Sequence, residues 1–581
     1  MANGFGSLYV GAAAIRNEQT ALDITANNLV NIDTKGYVRE QVMFTDDTYS
    51  FFQSAAISDQ MKGTGVKIAD VVHTRDMFLD KAFRSENSRY AFYAASYDAV
   101  TEVETFLQET ATGEAFSEAT NDLYVAFQEF AKDPSDTVNQ NLVVQKASLF
   151  LTREQNLYQG LANYQSTINT KIKDDVNRIN ELAKEIHRLN LNIERIEAGK
   201  TETAMDLRDQ RDYAVDELSK LAKITCTETI EGVYHIKLEE RDFIDDFNIY
   251  PIGLYTDTLT GFVTPYWPHL SATENDDIYP VYDLSNIDAA HNTDKGEVKA
   301  LLLARGDKRG TWSDLEGISQ ADYEKGIGNS VMMNSEAEID ALTHSIVTSI
   351  NNLFSPLTTY GEANHDPTAT YPVTGTDSKG NTVTIDANTK IADTEDCAVG
   401  SDGQIPPREL FVRRGCERYT EVTLGDGTKV YVYNEENPSD PTMSYTTRAL
   451  EINQELVENR TLLAHLTQNN AIDYSMGKGL VDIWEDASYT LNPSDKTPCT
   501  YTGFYTKYIG ELANTGSIYK TTSESLENTS ATIDNNRQAV IGVSSDEELT
   551  NMIKYQQAYN AASRYINVLS EMIEHLLSAL G

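Results

Sequence analysis

The sequence predicts a mainly α-helical chain with β-rich insertions, built as a discontinuous helical-bundle core whose two ends are coiled-coil helices. Three observations predict it. Apolar residues recur every seven positions at both termini and along one internal stretch. Two segments, 224–286 and 359–445, break that period with β-branched residues, Tyr, Asp and turn signals. The resulting order of helix, strand, helix, strand, helix gathers distant helical segments into one body and sets the β segments outward as insertions.

Residues 1–45 read as an assembly helix and the turn leaving it. Leu8, Ile15, Leu22 and Leu29 form one row, with Ala12, Gln19 and Ala26 between them, a seam too thin to hold a coil alone. Residues 46–223 are expected to be the first part of the helical core. Within them, 136–198 reads as a rod roughly 90 Å long at ~1.5 Å per residue. Ile172, Ile179, Ile186 and Ile193 make one heptad row, and Ile168, Asp175, Leu182, Leu189 and Ile196 the other. A break is conceivable only near Gly160, and Gly199 suits a helix stop. Leu207, Ala214, Leu218 and Leu221 mark a further amphipathic helix.

In the insertion 224–286, residues 233–238 and 253–256 read as strands. Helix returns over 287–358, with Leu301, Leu302, Ile339, Leu342, Ile346 and Ile350 as core candidates. In the variable insertion 359–445, residues 377–381 and 425–428 read as hairpin turns. Residues 446–539 are expected to complete the helical core. The end, 540–581, carries Met552, Tyr559, Ile566, Ile573 and Leu580 in one row and Tyr555, Ala562, Leu569 and Leu576 in the other, four filled heptads.

The 581 residues allow three to six domains at roughly 100–200 residues each. Lys and Arg total 47 against 89 Asp and Glu, a net charge of −42, which argues against nucleic acid and against an anionic membrane surface as partners. No window approaches the ~18 apolar residues of a spanning helix. The first cation is Arg16, so the N-terminus lacks the pattern of a secretory signal peptide. Cys226, Cys397, Cys416 and Cys499 show no Cys-x-x-Cys spacing; a Cys397–Cys416 bridge is conceivable, with free thiols the simpler reading.

Catalytic patterns are missing. The chain has no His-Glu-x-x-His, Gly-x-Ser-x-Gly or phosphate-loop sequence, and Gly326-Ile-Gly328 lacks a third Gly. A calcium loop opening at Asp377 would need Glu at its twelfth position, which is Asn388. No catalytic, cofactor-binding or metal-ligating residue is therefore named, and the chain reads as a non-enzyme. Arg208 and Asp212 stand four apart on a helix and read as a solvated or partner-facing pair worth a few tenths of a kcal/mol. The 32 Tyr suit half-buried strand faces, with a glycan-binding platform as the alternative.

The terminal seams point instead to self-assembly. Each buries one stripe, and ordering a residue costs ~1–2 kcal/mol of backbone entropy, so an end-to-end helical pair is marginal until neighbours cover its other faces.

Residues 26–37, Ala-Asn-Asn-Leu-Val-Asn-Ile-Asp-Thr-Lys-Gly-Tyr, resemble the N-terminal motif of the bacterial flagellar rod, hook and hook-associated protein family. The departure is Lys35, where that motif often carries Pro. Residues 63–71 and 75–79 are similar to the family's next segment. Residues 206–212, Asp-Leu-Arg-Asp-Gln-Arg-Asp, and 546–564 resemble signatures of its hook-associated branch at the hook–filament junction. The likeness spans about two thirds of the chain and leaves the β segments unmatched. It implies an extracellular flagellar component exported by the type III route without a cleaved signal. It implies partners as well: copies of itself in a ring, hook protein on one side, a second hook-associated protein on the other, and a cytoplasmic export chaperone at the C-terminal region. Asn27, Asn28, Gly36 and Tyr37 would shape the turn after the first helix. The alternatives are a hook or rod protein of the same family, a surface adhesin or glycan binder acting through the β insertions, and a hydrolase housed in an insertion.

Overall fold

The computed structural model describes residues 2–54, 59–63, 65–73, 75–107, 115–199, 203–272, 278–363, 371–395 and 397–580. Helix α1 (Ala2–Val30) leads into a turn at Gly36, whose φ of +80° suits a residue without a Cβ. Strands follow, although the periodicity predicts helix from residue 46. β1 (Glu40–Asp46), β2 (Tyr49–Ser54), β3 (Asp59–Gly63) and β4 (Val66–His73) pair antiparallel, β1 with β4 and β2 with β3. Residues 66–73 alternate over too few positions to stand out against the flanking heptads.

The helical body begins with α2 (Met77–Leu107), α3 (Phe116–Lys132), α4 (Thr137–Glu197) and α5 (Met205–Leu221). The rod α4 runs unbroken for 61 residues. Its first turn is capped by Asp136, whose carboxylate accepts from Val138 N at 2.8 Å. Gly160 does not interrupt it; the missing side chain makes room for the Phe106 ring of α2, 2.8 Å from where a Cβ would stand. Ile168, Ile172, Ile179, Leu182, Ile186, Leu189 and Ile193 are all buried, and only Ile196 at the rod's end is exposed. Asp175 falls in the same row and is half-buried; burial lifts its carboxyl to about 6.

The segment 224–286 lies along this rod. β5 (Ile224–Glu228), β6 (Tyr234–Leu238) and β7 (Arg241–Ile244) form a three-stranded antiparallel sheet, and β8 (Gly253–Thr256) and β9 (Val263–Tyr266) a hairpin. Three asparagines of α4 hold the backbone of this region by their amides. Asn169 donates to Gly261 O and accepts from Val263 N, Asn180 does both with Ile252, and Asn190 does both with Tyr234, all at 2.9–3.2 Å. Spacings of 11 and 10 residues are about three helical turns, which puts all three on one face of the rod. Leu238, Phe243, Val263 and Trp267 enter the main core behind them.

Helices α6 (Glu297–Arg305), α7 (Gln320–Lys325) and α8 (Val331–Phe354) return the chain to the body, with Leu301, Leu302, Ile339, Leu342, Ile346 and Ile350 buried. The segment expected as one insertion at 359–445 divides in two. β10 (Leu357–Thr359), α9 (Tyr360–Ala363), β11 (Val373–Asp377), β12 (Thr382–Ile385), β13 (Lys390–Ala392), β14 (Phe411–Arg413), β15 (Tyr419–Leu424) and β16 (Lys429–Tyr433) succeed one another. Six of these strands form an antiparallel sheet in the order β10-β13-β16-β15-β11-β12, with its own core of Tyr360, Ile385, Ile391, Val422, Leu424 and Val430. Its hairpins turn at Gly380 and Gly427, both at positive φ. β14 instead pairs with β17 (Leu450–Ile452), which carries Phe411 into the main core.

Residues 446–539, expected to be helical, open with short pieces. α10 (Gln454–Glu458) and α11 (Tyr474–Glu485) are each started by an Asn or Asp cap, at Asn453 and Asp473. Only α12 (Tyr501–Ile541) is long; it packs along α2, with Val100 against Gly516. α13 (Ser545–Leu580) ends the described chain. None of the four cysteines is in a disulfide, so Cys397 and Cys416 do not pair.

Candidate assembly interface

The two ends of the chain meet. α1 and α13 pack on each other, and the Ile566 side chain occupies the notch left by Gly11, 2.7 Å from where a Cβ would be. The inner face of α1 is Gly11, Ala21, Thr25 and Asn28, all buried, with Ala14 and Glu18 completing a 3/4 alternation. The row expected to be the seam, Leu8, Ile15, Leu22 and Leu29, is offset by one residue and lies half-buried on the flank. Small residues took the inner positions because they let the helix backbones approach. Their spacing was the signal that apolar counting passes over.

On α13, Met552, Tyr555, Tyr559, Ala562, Ile566, Leu569 and Ile573 are half-buried and Leu576 is exposed; the Leu580 side chain lies outside the described residues. Glu548 is the one buried residue among the described side chains of α13. The pair thus leaves apolar surface in water on a second face, with Ile553 56%, Val568 53% and Met572 61% exposed. A two-helix pair can cover one stripe on each partner, and both helices here carry more than one.

The turn after α1 is fastened on two sides. Asn28 donates to Glu40 O (2.9 Å) and to Glu548 Oε2 (3.2 Å), and its Oδ1 accepts from Glu40 N and from the Tyr37 hydroxyl. Asn27 donates to the Tyr37 oxygen at 3.4 Å. Arg39 holds Glu547 and Glu548 at the start of α13, and its backbone N–H donates to Ile541 O at the end of α12. On the other side Val38 N donates to Asp209 of α5 at 2.8 Å. Gly36 passes close over Tyr213. Burial lifts the Asp209 carboxyl to about 7, against the pull of Val38 N and Arg75, and burial together with Arg75 lowers His73 to about 4.

Arg208 and Asp212 are therefore not on a solvated helix side. Arg208 pairs with Glu197 and Glu228, each at 2.6 Å, rather than with Asp212. Arg211 is fully buried, stacked 3.5 Å from the Tyr234 ring and donating to Gly232 O. Asp212 belongs to a closed ring of alternating charge. It binds Arg75 and Arg84; Arg84 binds Asp216 (2.6 Å); Asp216 binds Arg537 (2.5 Å); Arg537 reaches Asp80 (3.5 Å); and Asp80 returns to Arg75 (2.7 Å). Every carboxylate bridges two guanidiniums. The ring joins α2, α5 and α12 just below the point where the terminal pair attaches. Sequence reasoning missed it because its bonded partners lie 5 to 457 positions apart.

Among the described residues no group of His, Cys, Asp and Glu could hold a metal ion, and no helix is long and apolar enough to cross a membrane.

An elongated helical body that ends in a pair of helices with apolar surface left in water is an architecture that suits a structural subunit. Residues 100–356 match the family described as flagellar hook-associated protein FlgK helical domain, 8–37 the flagella basal body rod protein family, and 539–579 the C-terminal region of the flagellar basal body rod FlgEFG proteins. Flagellar hook-associated protein 1 of Bacillus subtilis is 24% identical over 100% of this chain and 99% of its own length. Its Escherichia coli counterpart is 20% identical over 96% and 97%. The solved flagellar hook junction protein FlgK of Burkholderia pseudomallei superposes with a TM-score of 0.49 at 12% identity, covering 79% of this chain and 99% of that one. Over its whole length the chain is thus similar to flagellar hook-associated protein 1, and its two ends and helical body match family models of the flagellar rod and hook-associated proteins.

Proposed function

We propose that this chain forms the junction between flagellar hook and filament, assembling through its paired terminal helices. It is a structural component of the bacterial flagellum. The observation that carries the assembly reading is the half-buried seam of α13, from Met552 to Ile573, beside an exposed second apolar face. Head-to-tail packing of copies around a helical lattice would cover both. In that arrangement each copy contacts others in a ring, hook protein on one side and a second hook-associated protein on the other. Export would precede assembly, by the type III route with no cleaved signal and with a cytoplasmic chaperone on the C-terminal region; an amphipathic α13 is the natural surface for one. No reaction is assigned, and the work done is mechanical. Electron microscopy of cells lacking this gene tests the reading: hooks without filaments, and filament protein shed into the medium, are expected. Normal filaments on those hooks would overturn it.

A further inference from the structure

A cleft of about 450 Å³ opens between β9, the segment 280–285, the C-terminal end of α6 and the residues after α7. That volume lies in the range of small-molecule sites, which combine apolar walls with a few convergent polar groups. Its walls are mostly apolar: Pro265, Leu284, Leu302, Leu303, Ile327 and Met333. One charged side chain is built into the wall. Arg305 also lines the cleft and is only 3% exposed.

The bonding of that guanidinium is incomplete. Its Nε donates to Gly306 O at 3.0 Å, and its Nη1 donates to Asn169 Oδ1 at 2.6 Å and to Val263 O at 3.0 Å. All three acceptors are neutral, and none takes a proton from Nη2. The face of the group lies 4.7 Å from the Phe262 ring. Among the described residues no carboxylate stands within ion-pairing distance; Asp307, which also lines the cleft, is exposed and lies beyond it. The buried arginines of the charge ring, by contrast, each touch at least two carboxylates. Burial lowers the Arg305 guanidinium to about 10, against the weaker pull of the Asp307 carboxylate. A second cation, Lys325, lines the cleft and is exposed.

We infer that this cleft is a binding site for a small amphiphilic carboxylate, its acid group on Arg305 Nη2 and its hydrocarbon against Leu284, Leu303 and Ile327. The chemistry selects that class on two grounds. A planar guanidinium with a free N–H matches a carboxylate oxygen. Apolar walls around it disfavour a fully hydrated anion such as phosphate and favour one with a hydrocarbon body. The site is separate from the terminal helices, so occupancy is read on the monomer and does not depend on the junction reading.

The test is calorimetric titration of the full chain with octanoate and with octanol, its uncharged counterpart. Octanoate is expected to bind at one site per chain and at least ~10-fold more tightly than octanol. Arg305→Gln should remove the preference for the acid. Because Arg305 also braces Asn169 and Val263, a second variant keeps the test sound: Leu284→Trp fills the cleft from its half-buried wall, leaves the guanidinium in place, and should abolish binding. Equal affinity for octanoate and octanol would overturn the proposal, as would unchanged binding to Leu284→Trp or no heat from octanoate at millimolar concentration.

Discussion

Replacing Asp212 by Asn opens the ring of alternating charge while hardly changing its volume. In the native ring Asp212 is 4% exposed, bridges Arg75 and Arg84, and accepts from the Tyr234 hydroxyl at 2.7 Å. Arg75 keeps Asp80 and Arg84 keeps Asp216 after the substitution, so neither guanidinium is stripped of partners. The count changes all the same. Arg75, Arg84 and Arg537 face Asp80, Asp212 and Asp216 in balance, and the variant buries three cations with two anions. Breaking a buried ion pair from one side costs ~3–5 kcal/mol, and the retained partners place this case at about 3 kcal/mol. The assay is urea unfolding, because guanidinium chloride would screen the charges under study. A cycle with Tyr234→Phe isolates the hydroxyl, a hydrogen bond to a charged acceptor worth about 1.5–3 kcal/mol, and the two changes should be strongly non-additive. The pH dependence gives a second check. Burial by itself would raise the Asp212 pKa, but Arg75, then Arg84 and Arg211, outweigh it and hold the carboxyl below 3.8. Its stabilisation is therefore present above the unfolded value and lost as pH falls through the lowered one. Asn should erase that acid-side loss. A destabilisation below ~1 kcal/mol, with strict additivity to Tyr234→Phe, would refute the balance argument.

Three further outcomes are expected. Ile566→Asp places a charge over Gly11, and should loosen the α1–α13 pair by ~1–2 kcal/mol, seen as faster hydrogen exchange in both helices; the body's urea midpoint should hold, and cells should shed filament protein. Filaments on cells carrying the variant would remove Ile566 from the interface. Glu154, Glu336 and Glu338 are buried in the body, and burial lifts each carboxyl to about 8 from 4.5. The folded state then holds protons that the unfolded chain releases, so stability should fall between about pH 4.5 and 8, by up to ~1.4 kcal/mol per unit for each group; Glu154→Gln should flatten that slope in urea titrations at stepped pH. Replacing all four cysteines by Ser should shift stability equally with and without reductant, since no disulfide joins any of them; a shift under oxidising conditions alone would reveal a bridge.

Much of the helical architecture was legible because its code is local. Ile172, Ile179, Ile186 and Ile193 repeat at the helical period without interruption, and a side chain's place on a helix follows from its number. The charged residues of 206–212 were misread for the same reason. At a spacing of four, Arg208 and Asp212 resemble a surface pair, and nothing nearby in the chain says that Arg75, Arg84, Glu197 and Glu228 will surround them. The arm at 40–73 was hidden by brevity, since four short strands carry less periodic signal than a single heptad row.

What the sequence determined by itself was the presence of helical termini with apolar stripes, the length of the rod, the position of the two β-rich segments and the strongly acidic charge balance. Each of these follows from composition or from the repeat of one element. Only the tertiary structure decided which stripe of α1 faces inward, because Leu8, Ile15, Leu22 and Leu29 and their neighbours Gly11, Ala21, Thr25 and Asn28 share one period and differ in phase. Phase is chosen by the partner helix, where the side chain of Ile566 fits a glycine and would clash with a leucine. The closed charge ring and the three asparagine clamps of α4 are likewise set by the partner, since an ion pair or a side-chain hydrogen bond to backbone exists only when residues far apart in the chain are brought within about 3 Å.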